Sequence, residues 1–168
     1  MKFSLNQRMV VTALLIAGLD QATKFWVLKY LPGPEERVVI DGFFKFVHWG
    51  NTGAAWSMFT GQNGGLAVVS LLALLGLFIW RHHFDTRTWV GQLSLGLIFG
   101  GILGNLVDRL CRGQVVDFIR FYLHRRSGEE IGFPAFNIAD SAICVGVALM
   151  FLISWRNEMG DQGAAVES

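Results

Sequence analysis

Two aspartates near the end of the sequence stand beside long apolar runs: Asp117 in Val115-Val116-Asp117-Phe118 and Asp140 in Phe136-Asn137-Ile138-Ala139-Asp140. A carboxylate in such a place is costly unless it is paired, hydrated or used. Two that converge are the minimal apparatus for hydrolysing a peptide bond, one ionised to activate water and one protonated to donate to the leaving group. Close together they cannot both ionise easily, so the pair shares a proton and titrates in two macroscopic steps. Asp140 also has a plainer reading: with Asn137 as a cap it is the third residue of a helix, where a carboxylate satisfies free amides. Asp20 and Lys24, spaced i,i+4, fit a paired charge within a span, a structural polar pair. Asn51-Thr52-Gly53 fits a cap and turn. Asp108 and Arg109 fit a helix end, where an arginine complements the macrodipole and reaches the interface. Cys144, one turn beyond Asp140 and without a histidine base, reads as a small apolar residue. There is no HExxH and no CxxC spacing, so neither a metal site nor a cofactor is expected.

The elements that hold these residues must be membrane helices. Of 168 residues, 52% are apolar and only 16% charged, and the mean hydropathy is +0.43, well to the apolar side of a soluble domain. Residues 88–107 carry no charge over 20 positions, enough to cross a hydrocarbon core of roughly 30 Å. Further apolar runs predict four transmembrane helices in all, near 9–30, 63–81, 89–109 and 137–155. The fold class is therefore an all-α polytopic membrane protein forming a single membrane domain, with segments 32–62 and 110–136 outside the bilayer and a flexible tail at 157–168. Lys2 and Arg8 ahead of the apolar run could mark a cleaved leader, but no small-x-small site follows and Phe25-Trp26-Val27-Leu28 continues the pattern, so the first run is read as a span. A net charge of +1 with scattered basic residues gives no nucleic-acid footprint.

With four spans, the loops after helices one and three lie on the same side. That side receives Asp20, Lys24, the 105–109 end of helix three, Asp117 and Asp140. Val38-Val39-Ile40 and Phe43-Phe44-Lys45-Phe46-Val47 flank Asp41-Gly42, which predicts a small β-hairpin after the first helix, its aromatic residues suited to the headgroup layer. In helix three, Gly96, Gly100 and Gly104 recur every four residues, the small-xxx-small pattern of close helix packing. We read Asn105 as continuing that row into the bundle interior.

Together the motifs Asp20-Gln21-Ala22-Thr23-Lys24, Asn51-Thr52-Gly53-Ala54-Ala55, Gly100-Gly101-Ile102-Leu103-Gly104-Asn105-Leu106-Val107-Asp108-Arg109, Val115-Val116-Asp117-Phe118 and Phe136-Asn137-Ile138-Ala139-Asp140-Ser141 make the chain resemble the lipoprotein signal peptidase (signal peptidase II) family of bacterial inner membranes. The resemblance spans residues 20–141. It implies a monomeric aspartic endopeptidase that cleaves diacylglyceryl-modified prolipoproteins before the modified cysteine, with Asp117 and Asp140 matching the catalytic pair. Asn51, Gly53, Gly104, Asn105, Asp108, Arg109, Asn137 and Ala139 match the substrate-binding and supporting positions. The asparagine amides and Arg109 would hold the substrate backbone, and the lipid anchor would sit in the bilayer beside the glycine-rich face. Two features depart from the family pattern: a longer stretch between the aspartates, around 124–130, and Trp56 where a smaller aromatic is expected. The resemblance also implies cytoplasmic termini and an extracytoplasmic active site. The Lys/Arg distribution opposes this, because only Lys2, Arg8, Arg81, Arg87 and Arg156 would lie inside. The alternative is a small proton-coupled transporter relaying protons through Asp20, Lys24, Asp117 and Asp140. Against it, the charges gather on one side.

Overall fold

The computed structural model describes residues 5–31, 33, 36–53, 58–84 and 88–166. Ala54, Ala55 and Trp56 of the Asn-Thr-Gly segment lie outside the described residues, as do Lys2 and Arg87. The chain runs α1 (Leu5–Tyr30), β1 (Glu36–Ile40), β2 (Phe44–Asn51), α2 (Asn63–Trp80), a single 3-10 turn (Arg81–His83), α3 (Trp89–Cys111), β3 (Val115–His124), β4 (Glu130–Gly132) and α4 (Ile138–Val166). All four helices are long and apolar enough to cross a membrane. Their outward residues, such as Leu15, 67% exposed, and Leu71, 58% exposed, would be untenable in water as continuous surfaces and suit hydrocarbon. The protein is a multi-pass membrane protein.

The third helix is the central one. It packs against α1, α2 and α4, and toward α1 and α4 its glycines remove the side chains that would hold these neighbours away. A Cβ at Gly96 would stand 2.6 Å from Thr12 Cβ, and one at Gly100 2.6 Å from the Ala13 carbonyl, so this row receives α1. A Cβ at Gly101 would collide with the Ala139 carbonyl, so the next row receives α4. That geometry corrects the reading of Asn105. Four residues beyond Gly104 is Asp108, which faces α1; Asn105 lies one turn beyond Gly101 and faces α4. The same packing sets Gly96, Gly100 and Gly104 against α1 and Gly101 against α4.

The sheet is larger than the expected hairpin. The turn forms at Asp41-Gly42, with Gly42 at φ +68°, but β2 continues to Asn51 and pairs with β3, which in turn pairs with β4, giving the antiparallel order β1-β2-β3-β4. The stretch around 124–130 is the β3–β4 turn, closed by the Arg125 amide donating to the Glu129 carbonyl at 2.9 Å. Lys45 holds the strands together from beneath: its Nζ meets Glu36 Oε2 of β1 at 2.5 Å and Glu130 Oε2 of β4 at 2.7 Å, above the Tyr122 ring. Burial alone would lower the Lys45 pKa, but these two carboxylates outweigh it and raise it.

The third helix ends where Arg112 donates its amide to Asp108 O and Gly113 turns left-handed at φ +74°. The chain then re-enters directly as β3. Helix α4 passes its expected end near 155 and runs as far as Val166. The residues after Trp155 contain no proline to stop it.

Candidate active site

One short pairing brings the two sequence-predicted aspartates together. Ahead of α4, Phe136 bridges to Ile119 of β3: its amide donates to Ile119 O at 3.0 Å, and its carbonyl accepts from Phe118 at 3.0 Å and Ile119 at 2.9 Å. The following residue, Asn137, therefore begins α4 against the strand that carries Asp117. Asn137 and Asp140 form a reciprocal capping box. Asn137 Oδ1 accepts from the Asp140 amide at 2.9 Å, while the Asn137 amide donates to Asp140 Oδ2 at 3.2 Å. The capping reading of Asp140 thus holds, but it engages only one carboxylate oxygen. The other, Oδ1, accepts from Asn105 Nδ2 at 2.7 Å.

Asp117, 4% exposed, is surrounded by amides. Its Oδ1 accepts from Asn137 Nδ2 at 2.8 Å and its Oδ2 from Asn51 Nδ2 at 3.0 Å. Asn51 pairs with Val115 in the sheet register, which sets its side chain diagonally across from Asp117. Burial, reinforced by the charge of Asp140, pushes Asp117 up to about 7 against the opposing pull of the Asn51 and Asn137 bonds.

Behind the pair lies a charged cluster between α1 and α3. Lys24, Asp20 and Asp108 are all 0% exposed. Lys24 Nζ lies 2.7 Å from Asp20 Oδ2 and 2.9 Å from Asp108 Oδ2, and it donates to Asn105 Oδ1 at 3.0 Å. Arg112 pairs with Asp108 and donates to Gln21 Oε1 at 2.8 Å. Asp20 and Lys24 are therefore part of a larger network than the isolated pair their spacing suggested. Each carboxylate of this cluster also grips the backbone one residue before a site aspartate. Asp20 Oδ1 accepts from the Ala139 amide at 3.0 Å, and Asp108 Oδ2 from the Val116 amide at 3.1 Å. Gly104 is needed beside it, because a Cβ there would stand 2.6 Å from Asp20 Oδ2.

Arg109 points the other way. Its Nη2 donates to the Gly53 carbonyl at 2.7 Å and its Nη1 to Asn63 Oδ1 at 3.2 Å. The Gly53 amide in turn donates to Asn51 Oδ1 at 2.8 Å, an Asx turn that aims the Asn51 amide group at Asp117. Gln21, Asn63 and Arg112 were not singled out in the sequence. Arg112 had a signal, its i,i+4 spacing from Asp108; apart from the adjacent Asp20, the partners of Gln21, like the partner of Asn63, lie dozens of residues away and leave none.

Asp117, Asp140, Asn51, Asn105 and Arg109 all line one cleft of about 590 Å³. Trp49, Phe133, Pro134, Phe136 and Ile143 form much of its wall. Cys144, free and exposed, also borders it. Such a site can place two carboxyl groups against a bound amide while the apolar wall excludes water.

Comparison with known proteins gives the family. The family model described as Signal peptidase (SPase) II matches residues 12–156. The lipoprotein signal peptidase of Aeromonas hydrophila is 42% identical over 151 residues, covering 87% of either chain. That of Anoxybacillus flavithermus is 34% identical over 151 residues, covering 90% of this chain and 87% of its own. A solved bacterial membrane enzyme shares the fold with a TM-score of 0.77 and 28% identity, over 89% of this chain and 88% of the other. The chain belongs to the signal peptidase II family.

Proposed function

We propose that this peptidase removes the signal peptides of prolipoproteins as an aspartic endopeptidase, cutting before the diacylglyceryl-modified cysteine with Asp117 and Asp140 as its catalytic pair. The observation that carries the reading is Asn137, which touches both carboxylates at once, through Nδ2 to Asp117 and through its backbone amide to Asp140. Asp140, which stands in the first turn of α4 where the helix N-terminus favours negative charge, is the ionised member. Asp117 holds the shared proton, in keeping with its raised pKa of about 7.

The chemistry follows. Asp140 takes a proton from water as the water oxygen attacks the scissile carbonyl carbon, and Asp117 gives its proton to the carbonyl oxygen. On collapse, Asp140 passes its proton to the leaving nitrogen, the C–N bond breaks, and Asp117 recovers its proton as the carbonyl re-forms. Asn51, Asn105 and Asn137 hold the carboxyl groups in place throughout. Arg109, bound to Gly53 and Asn63, supports the Asn51 turn. Gly104 and Ala139 leave room for the cluster behind. The lipid of the substrate lies along the cleft edge at Ile143 and Cys144, which α4 carries into the bilayer.

In this reading both termini are cytoplasmic and the sheet and cleft lie outside, at the surface of the bacterial inner membrane. A reporter fused after Trp155 should be active only in the cytoplasm; activity in the periplasm alone would reverse the orientation. The test of function is cleavage by purified protein of a lipid-modified precursor peptide against the same peptide unmodified. Cleavage of the modified peptide alone is expected. Equal turnover of both peptides would remove the lipid from substrate recognition, and no turnover of either would refute the peptidase assignment to this cleft.

A further inference from the structure

We propose that Lys24 is a positioning residue for the peptidase reaction: it fixes the side-chain amide of Asn105 with its N–H, and not its carbonyl, turned toward Asp140. The proposal rests on the catalytic assignment of Asp117 and Asp140. An asparagine amide can rotate by half a turn and present either a donor or an acceptor with nearly the same shape. A carbonyl turned toward Asp140 would repel the ionised carboxylate and favour the protonated one.

Here the choice is forced from the far side. Asn105 Oδ1 receives Lys24 Nζ at 3.0 Å and Asn137 Nδ2 at 3.2 Å, so Nδ2 is the group left to meet Asp140 Oδ1 at 2.7 Å. A bond to an ammonium is the stronger of the two restraints. Lys24 itself cannot swing away, because it is fully buried and held by Asp20 of its own helix and Asp108 of α3, with Arg112 behind Asp108. These four charges balance two against two. Lys24 also acts on Asp117 and Asp140 through its charge, and Asp20 opposes it at Asp140, so removing Lys24 and Asp20 together isolates the amide that Lys24 orients. Toward Asp140 face Asp117 from β3, Asp20 from α1 and Arg109 from α3. Lys24 is joined to Asp140 by a continuous path of two hydrogen bonds through Asn105.

Lys24→Met alone would leave Asp20 and Asp108 facing a single arginine, so the informative variant is Lys24→Met with Asp20→Asn. It keeps Asp108 paired with Arg112, and the new asparagine can still accept from the Ala139 amide. In the folded protein, kcat for a lipid-modified precursor peptide should fall at least about tenfold with KM within about threefold of the parent, the signature of an interaction made in the transition state. The acidic limb of the kcat–pH profile should move up by roughly half a unit or more, since an amide free to turn no longer favours the ionised base. In an Asn105→Ala background the same pair of substitutions should cost no more than about twofold further, because residues acting through one another are not additive.

A profile and kcat matching the parent would overturn the proposal, as would a full additive loss in the Asn105→Ala background. Asp140→Asn run in parallel separates the two levels. Turnover by that variant would sink the catalytic assignment and this inference with it. Its inactivity beside an unmoved Lys24 profile would sink the inference alone.

Discussion

Two pairs of aspartates stand side by side in this bundle, and they are solvated in opposite ways. Asp20 and Asp108 face cations: Lys24 reaches both, and Arg112 pairs with Asp108. Asp117 and Asp140 face amides, from Asn51, Asn105 and Asn137. Cations settle the charge of a buried carboxylate and fix it. Amide donors hold a carboxylate in place without neutralising it, so a second carboxylate nearby leaves a proton to be shared. The first pair is suited to holding, and it does so by gripping Ala139 and Val116, the residues just before the second pair. The second pair is suited to moving protons.

The sharpest break of this contrast is Asp117→Asn or Asp140→Asn. Either should lower turnover by at least about a thousandfold, and the double variant should lose little more, since the two act as one unit. Neither should unfold the protein, because each replaces a buried carboxyl group held by amides with an amide of the same shape. Thermal melting beside an activity assay checks both halves. Robust turnover by a well-folded single variant would end the dyad reading.

Breaking the other pair should cost stability first. Lys24→Met leaves Asp20 without its cation and Asp108 with Arg112 alone, and should cost about 3–5 kcal/mol of stability, read as a large fall in melting temperature. A melting temperature unchanged from the parent would mean that the cluster is not held by its charges.

The acidic motifs were the legible part of this arrangement, and their partners were not. Residue type and spacing sufficed to single out Asp117 and Asp140, and to place Asn137 as a cap, because a capping box is local. The four spans followed from apolar runs, two of them uncharged over bilayer length, one interrupted by Asp20 and Lys24 and one extended back through Asp140. The sheet was half visible: Asp41-Gly42 between apolar runs marked the hairpin, whereas Val115–His124 mixes Asp117 and Arg120 into an apolar strand and hid its own pattern. The Lys24 network escaped because a span sequence shows i,i+4 neighbours but not which helix supplies the rest; Asp108 lies 84 positions beyond Lys24. The misplacement of Asn105 was a matter of register. Adjacent glycines, Gly100 and Gly101, open two different faces, and only packing tells them apart.

Acidity offers a finer probe. Asp117, held protonated up to about pH 7, should make kcat decline above that value, by up to about tenfold per unit. Its proton affinity is higher folded than unfolded, so the folded state binds the extra proton between about 4 and 7. The stability contributed by Asp117 should accordingly be full below about pH 4 and fade as pH rises through 7. Asp117→Asn should flatten that part of the stability–pH curve. A curve of the same slope in parent and variant would place the raised affinity elsewhere.

The smallest effect tests whether burial within the bundle, and not the ionic motif itself, sets the strength of the holding cluster. Lys45 repeats that motif outside the spans: one buried lysine between two carboxylates, Glu36 and Glu130. Here both glutamates keep about a third of their side-chain surface in water, 37% and 35% exposed. Water can therefore solvate them when the lysine is lost, and salt can screen the pair. Lys45→Met should lower the melting temperature by only roughly 2–4 °C, with much of the difference gone in about 0.5 M salt. The Lys24→Met loss should persist in the same salt, since no ion reaches Asp20 or Asp108. Activity of the folded Lys45→Met protein should stay within about twofold of the parent, because the sheet would keep its ladder and with it the register that sets Asn51 across from Asp117. Equal, salt-insensitive losses at Lys24 and Lys45 would mean that the motif alone governs the energetics, wherever it sits.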